Sequence, residues 1–199
     1  MAGDWLAARR SEVAADRILD AAAEMFAQRP VSGVGMHEIA RAAGCSRATL
    51  YRYFENREAL HTAFVHRETY RLHEMIIEQI NGVQDPAERL VAGVMAGLFL
   101  VRTSPALSSW FASNQPPVGA AIAEQDEVVQ ALTAAFLTSL GPDEPPVVER
   151  RARWLVRVMT SLLVFPGEHE ADERAMVQEF VVPIMLAAAR AADQPTPAS

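Results

Sequence analysis

GMHEIARAAGCSRATLYRYFENR, residues 35–57, is the stretch on which the reading of this chain turns. Two short helical patterns, His37–Ala43 and Arg47–Tyr53, flank a three-residue turn, Gly44-Cys45-Ser46. Ile39, Ala43, Leu50 and Phe54 can face one another and a preceding helix, and Ala40 is small where the two helices must approach closely. Gly44 can take the left-handed backbone that ends a helix. Cys45 supplies a small apolar plug at the junction, and the Ser46 hydroxyl can cap the next helix. This is the logic of a helix-turn-helix, whose second helix enters the DNA major groove by its N-terminal end.

The outward side chains of that second helix suit DNA. Arg47 at its start can reach guanine edges or a phosphate, and Thr49 offers both a hydroxyl and a methyl. Tyr51, Arg52 and Tyr53 supply phenol and guanidinium donors, and Arg57 adds a cation at the next helix start. Ser46 and Ala48 in the second helix, with Gly35, Met36 and His37 at the start of the first, complete the expected DNA-facing set; the free amides of helix N-termini favour phosphate. A merely structural helix pair would not turn Tyr51 and Tyr53 outward beside Arg47 and Arg52.

Outward from this segment the chain reads as helix after helix. Ser11–Arg29 places Val13, Ile18, Leu19, Ala22, Met25 and Phe26 at helical spacing. Asn56 caps a long helix from Arg57 to about Ile80, ended by Asn81-Gly82. Asp85-Pro86-Ala87-Glu88 is a dense start signal for a helix that stops near Ser104-Pro105. A shorter piece with Trp110 and Phe111 follows, broken at Pro116-Pro117. Ala120–Ser139 reads as one helix, and Gly141-Pro142 with Pro145-Pro146 as the clearest loop. Helices over about Val147–Phe165 and Ala171–Ala192 close the protein, the second with Pro183 expected to kink it; the Ser-, Pro- and Thr-rich end after Asp193 should be frayed. No stretch reads as a strand, so the expected fold is all-α with about nine helices.

Composition bounds the rest. Half of the 199 residues are hydrophobic and 22% charged, which excludes wholesale disorder. The longest run free of charged or polar residues, Leu90–Val101, is well short of the roughly 20 residues of a membrane span, and Met1–Arg10 lacks a secretory signal pattern. With Cys45 alone no internal disulfide is possible, so a reducing cytoplasm is expected. The net charge of −7 comes from 18 basic residues, all Arg, and 25 acidic ones, and taken whole it argues against nucleic acid. Its distribution does not: residues 1–73 carry 10 Arg and 9 acids, net +1, while 74–199 carry 8 Arg and 16 acids, net −8.

Ile18-Leu19-Asp20-Ala21-Ala22, Phe26, Ile39-Ala40, Ala43-Gly44, Ser46, Thr49-Leu50-Tyr51 and Tyr53-Phe54 with Glu58-Ala59-Leu60 are similar to the pattern of the TetR family of bacterial transcriptional regulators. The resemblance spans about Ser11–Arg71 and departs from the family at Gly35, where Thr or Ser is usual, and at Cys45, where Val is. It implies a DNA-binding domain over 11–71, with the helix-turn-helix at 35–54, and an effector-binding and dimerisation domain over 72–199. The implied protein is a homodimeric repressor that reads a (pseudo)palindromic double-stranded operator and is released by a small-molecule effector. An activator or dual regulator of the same fold, and a protein-binding helical module without DNA affinity, are the alternatives.

The resemblance also implies a dimer built by the last two long helices, with Trp154, Leu155, Val158, Leu162, Val177, Phe180, Val181, Ile184 and Ala188 as its apolar face. The implied effector pocket would draw on Met95, Phe99, Trp110 and Phe111. Trp5, Arg9 and Arg10 are placed for backbone or minor-groove contacts. Arg150, Arg151, Arg153 and Arg157 read as a solvated face with Glu149–Arg153 pairing. His66 and His73 with Glu74 lack the compact spacing of a metal site, so no metal and no cofactor are expected. No nucleophile elbow or phosphate-cradling loop supports an enzyme.

Overall fold

The computed structural model describes residues 4–111 and 118–186, with side chains described for 11–111 and 119–186. Among the described residues there is no strand, and nine helices have seven residues or more. In chain order they are α1 (Asp4–Gln28), a 3₁₀ turn (Val31–Gly33), α2 (Met36–Ala42), α3 (Arg47–Tyr53), α4 (Arg57–Gln79), α5 (Pro86–Thr103) and α6 (Pro105–Ser108). There follow α7 (Val118–Gln125), α8 (Glu127–Thr138), α9 (Pro145–Val164), α10 (Glu170–Met176), a π-helical stretch (Val177–Val181) and α11 (Val182–Met185). The Pro116-Pro117 break, Ala188, the chain end and the side chains of Trp5, Arg9 and Arg10 lie outside the described residues.

Three boundaries differ from the sequence reading. The first helix begins at Asp4 rather than Ser11. Ala120–Ser139 is two helices, because the buried Asp126 carboxylate accepts from the amides of Val128 at 3.0 Å and Val129 at 3.1 Å and so starts a new helix. Pro145 and Pro146 form the first turn of α9 rather than a loop, since those positions need no backbone donor. Pro183 has its effect just downstream of the π stretch: a residue without N–H and with a ring that crowds the carbonyl four back is absorbed by the widened turn.

The chain divides into two compact units: residues up to Glu68 together with Ser104–Trp110, and Thr69–Thr103 with the remainder. In the first, Ile18, Leu19, Ala22 and Phe26 of α1 are buried with Ile39, Leu50, Leu60 and Phe64. Trp110 completes this core, stacked on Phe64 with ring centroids 5.4 Å apart and edge-on to Phe26 at 5.3 Å and His61 at 5.1 Å. Arg67 fastens α4 to α1 by donating to the Asp20 carboxylate at 2.8 Å and the Asp16 carbonyl at 3.2 Å.

In the second unit Leu90, Val94 and Leu98 of α5 pack with Phe136, Leu155, Val177, Val181 and Met185. Two glycines set how closely these helices meet. A Cβ at Gly93 would lie 2.7 Å from the Phe136 ring, and one at Gly97 would lie 2.8 Å from the Met159 methyl. Glu173, 2% exposed, accepts both Arg102 guanidinium nitrogens at 2.7 and 2.6 Å and the Gly167 amide at 2.9 Å. Arg102 also donates to the Leu162 carbonyl at 2.8 Å, so one ion pair ties the end of α5 to α9 and α10. Two arginines of the run on α9 form ion pairs, Arg151 with Asp143 just ahead of the helix and Arg157 with Glu124 of α7.

Candidate nucleic-acid interface

The geometry of α2 and α3 follows from local capping chemistry. Gly44 has φ +67°, the left-handed region that a Cβ would strain. Its amide donates to the Arg41 carbonyl at 3.1 Å, and the Cys45 amide reaches back to the Ala40 carbonyl at 2.9 Å. These two bonds form a Schellman ending, which turns the chain sharply out of α2. Arg17 of α1 reaches the Ala43 carbonyl at 3.5 Å, beside this turn. Cys45 is half-buried rather than an enclosed plug.

Both helix starts are capped. The Ser46 hydroxyl accepts from the Thr49 amide at 3.0 Å and shares a hydrogen bond with the Thr49 hydroxyl at 2.9 Å. The Gly35 amide donates to Glu38 at 3.0 Å, and Arg29 pairs with the same carboxylate at 2.9 Å. That backbone donor first, and Arg29 second, hold the Glu38 carboxyl below its ordinary range. The start of α2 therefore presents an ionised, paired carboxylate where phosphate contact was expected. Asn56 caps α4 through the Ala59 amide at 2.7 Å.

The expected DNA-facing residues separate by environment. Leu50 is fully buried and anchors α3. Arg47, Ala48, Tyr51 and Arg52 are exposed and fall on one helical face by their spacing. Tyr53 is half-buried, with the Arg52 guanidinium 5.3 Å from its ring centroid, a cation–π contact that steadies the arginine. Ser46 is exposed and Thr49 half-buried, and their hydroxyls share one hydrogen bond. His37 is exposed and Gly35 half-buried, whereas Met36 packs inward. Arg57 donates to the Val31 carbonyl at 2.5 Å and so braces the 3₁₀ turn.

Two residues absent from the expected set lie at this surface. Arg41 is exposed in the last turn of α2, and Arg17 stands at the α2–α3 turn. Arg41 was open to detection as an outward cation in the motif. Arg17 lies 26 positions from its partner, a distance that periodicity does not bridge.

The remaining expected positions are spread over the chain. Leu155, Val177 and Val181 are buried within the C-terminal unit's own core, while Trp154, Val158 and Leu162 are partly covered. Phe180 and Ile184 are exposed, and so is Phe165, which the sequence reading did not include in that face. Met95 is buried in the C-terminal core, Phe99 is exposed, Phe111 is half-buried and Trp110 belongs to the N-terminal core. Among the described residues no group of three or more His, Cys, Asp or Glu gathers to hold a metal ion. No helix among them is long and apolar enough to cross a membrane.

A sequence profile described as bacterial regulatory proteins, tetR family, matches residues 18–64. Over nearly its whole length the chain is similar to an uncharacterized HTH-type transcriptional regulator of Mycobacterium tuberculosis. The two are 61% identical over 201 residues, covering 99% of this chain and 100% of the relative. Among solved structures, the TetR family repressor AlkX from Dietzia sp. is similar with a TM-score of 0.66 at 21% identity, over 86% of this chain and 94% of its own. The TetR family repressor FadR of Thermus thermophilus, solved with lauroyl-CoA, is similar with a TM-score of 0.61 at 24% identity, over 93% and 98%. Those two likenesses carry the fold; the profile and the full-length relative carry the family. The chain belongs to the TetR family of bacterial regulatory proteins, as a DNA-binding helix-turn-helix transcriptional regulator and not an enzyme.

Proposed function

We propose that the protein is a cytoplasmic, homodimeric repressor whose two α3 helices read the half-sites of a (pseudo)palindromic operator, and that a small-molecule effector releases it. The observation that carries this reading is the exposed face of Arg47, Ala48, Tyr51 and Arg52 on a helix anchored from behind by the fully buried Leu50. A face of this kind offers bidentate guanidinium and phenol donors while its backbone is held rigidly. Arg41 and Arg17 add phosphate-directed charge around it. With a net charge of only +1 over residues 1–73, affinity rests on two protomers binding together more than on a basic field.

The dimer face is assigned to Phe165, Phe180 and Ile184, which expose large apolar surface, with Trp154, Val158 and Leu162 at its margin. Leu155, Val177 and Val181 support this face from within. The effector site is assigned to the C-terminal unit, on the α5 surface where Gly93 and Gly97 meet Phe136 and Met159. Bare backbone lies there against two apolar side chains, so an apolar ligand that displaces Phe136 and Met159 would part α5 from α8 and α9.

Capture of fragments of the host genome by the purified protein, followed by footprinting, tests the reading. Two protected half-sites one helical turn apart, or a multiple of it, are expected. Affinity for the captured fragment should fall about a hundredfold between roughly 50 and 200 mM salt if about four Arg–phosphate contacts release counterions. A flat salt response, or no fragment retained, contradicts direct DNA reading.

A further inference from the structure

The N-terminal unit is not made from the N-terminal part of the chain alone. Ser104–Trp110 lies more than thirty residues beyond Glu68, yet belongs to the same compact unit. Ser104 caps α6 through the Leu107 amide at 3.3 Å, and Pro105 sits in its first turn. Leu107 and Trp110 are both buried, Trp110 to 2% exposure. The indole lies against Phe26 of α1 and against His61 and Phe64 of α4, the two helices that carry α2 and α3 between them in the chain.

Two further observations single out this contact. The Trp110 indole nitrogen and the His61 Nε2 are both buried without a hydrogen-bond partner. One is a donor and the other, on a neutral imidazole, can be an acceptor, and their rings are 5.1 Å apart. A small rotation or a single bridging water would satisfy both, and nothing else nearby is needed to do so. Immediately upstream, Arg102 is fixed in the C-terminal unit by Glu173 and the Leu162 carbonyl. The chain is thus gripped at Arg102 in one unit and at Leu107 and Trp110 in the other.

We propose that residues 104–110 are a latch lent by the C-terminal half of the chain to the DNA-reading unit, with Trp110 as a positioning residue wedged between α1 and α4 against His61. Trp110 touches no base or phosphate; it acts by setting how α1 and α4 pack, and through them how α3 is presented. The functional consequence rests on the DNA reading proposed above. The latch itself does not.

The test uses the full chain with Trp110→Ala and Trp110→Phe, compared with wild type by segment-resolved hydrogen exchange and by affinity for the captured operator fragment and a scrambled copy. Trp110→Ala should speed exchange over residues 18–54 by about tenfold or more while residues 145–164 exchange as in wild type. The operator-to-scrambled affinity ratio should fall about tenfold, because a mere loss of folded protein would weaken both DNAs alike. Trp110→Phe, which keeps a ring in the same place, should restore most of both. Uniformly faster exchange in both units, unchanged exchange over 18–54, or an unchanged affinity ratio in a folded Trp110→Ala protein overturns the latch. If Trp110→Ala does not fold, Trp110→Leu decides instead: the localised increase in exchange over residues 18–54 should appear at a smaller size, and its absence overturns the latch. If the wild type binds no DNA, the proposed function fails and the exchange pattern alone decides the latch.

Discussion

Glu173→Ala is expected to destabilise the C-terminal unit by about 3–5 kcal/mol, which for a unit of this size lowers its melting temperature by on the order of 10 °C. The carboxylate is 2% exposed and takes three donors: two from Arg102 and the Gly167 amide. The Arg102 hydrogen bonds are the main reason its carboxyl stays below the ordinary range, with the Gly167 amide adding to them against the cost of burial. Alanine leaves the Arg102 guanidinium and the Gly167 amide without that acceptor. Arg102 is one-third exposed, so water recovers part of the loss and the effect belongs at the lower end of the range. Replacing both partners with Arg102→Met and Glu173→Met should cost much less, because no charge is then stranded. Thermal unfolding of the two proteins checks this. A loss below about 1 kcal/mol for Glu173→Ala would show that the pair does not hold α5, α9 and α10 together.

The second large effect is acid sensitivity of the N-terminal unit. Burial first, and the neighbouring Arg57 second, lower the His61 pKa from 6.5 to about 4. Between those values the unfolded chain takes up a proton that the folded unit refuses. His61's contribution is therefore fully present above pH 6.5 and is lost progressively as pH falls toward 4. The total is about 3 kcal/mol, from roughly 1.4 kcal/mol per unit of pKa. Urea unfolding followed on the N-terminal unit from pH 7 to pH 4 should show the decline in wild type and a shallower one in His61→Phe. Parallel curves for the two proteins would place the proton elsewhere.

Much of the reading segment was legible because its signals are local and chemical. Ser46 and Gly44 bound α3 and end α2 through bonds made within five residues, so the α3 boundaries follow from those residue types alone. The same cue exists at Asp126, within the polar run Glu124-Gln125-Asp126-Glu127, but no Gly or Pro stands beside it and the stretch reads on as one helix. Trp110 shows a different limit. Helical spacing identifies a large apolar side chain as buried but not which core buries it, and here a segment distant in sequence completes the N-terminal unit. The final helices show the same ambiguity at finer scale. Val177 and Val181 face the chain's own core, while Phe180 and Ile184 remain exposed, and periodicity alone assigns all four to one apolar face. Hydroxyls that look free in a motif, such as those of Ser46 and Thr49, can also bond to each other.

The central claim is that the exposed face of α3 reads DNA, and titration of the captured operator fragment with Arg47→Ala and Tyr51→Ala tests it most directly. Arg47→Ala should lose about 1–3 kcal/mol at the base it contacts and relax preference there. Tyr51→Ala should weaken binding across sequences with its selectivity largely kept. Wild-type affinity and wild-type selectivity in both variants would contradict the assignment of this face.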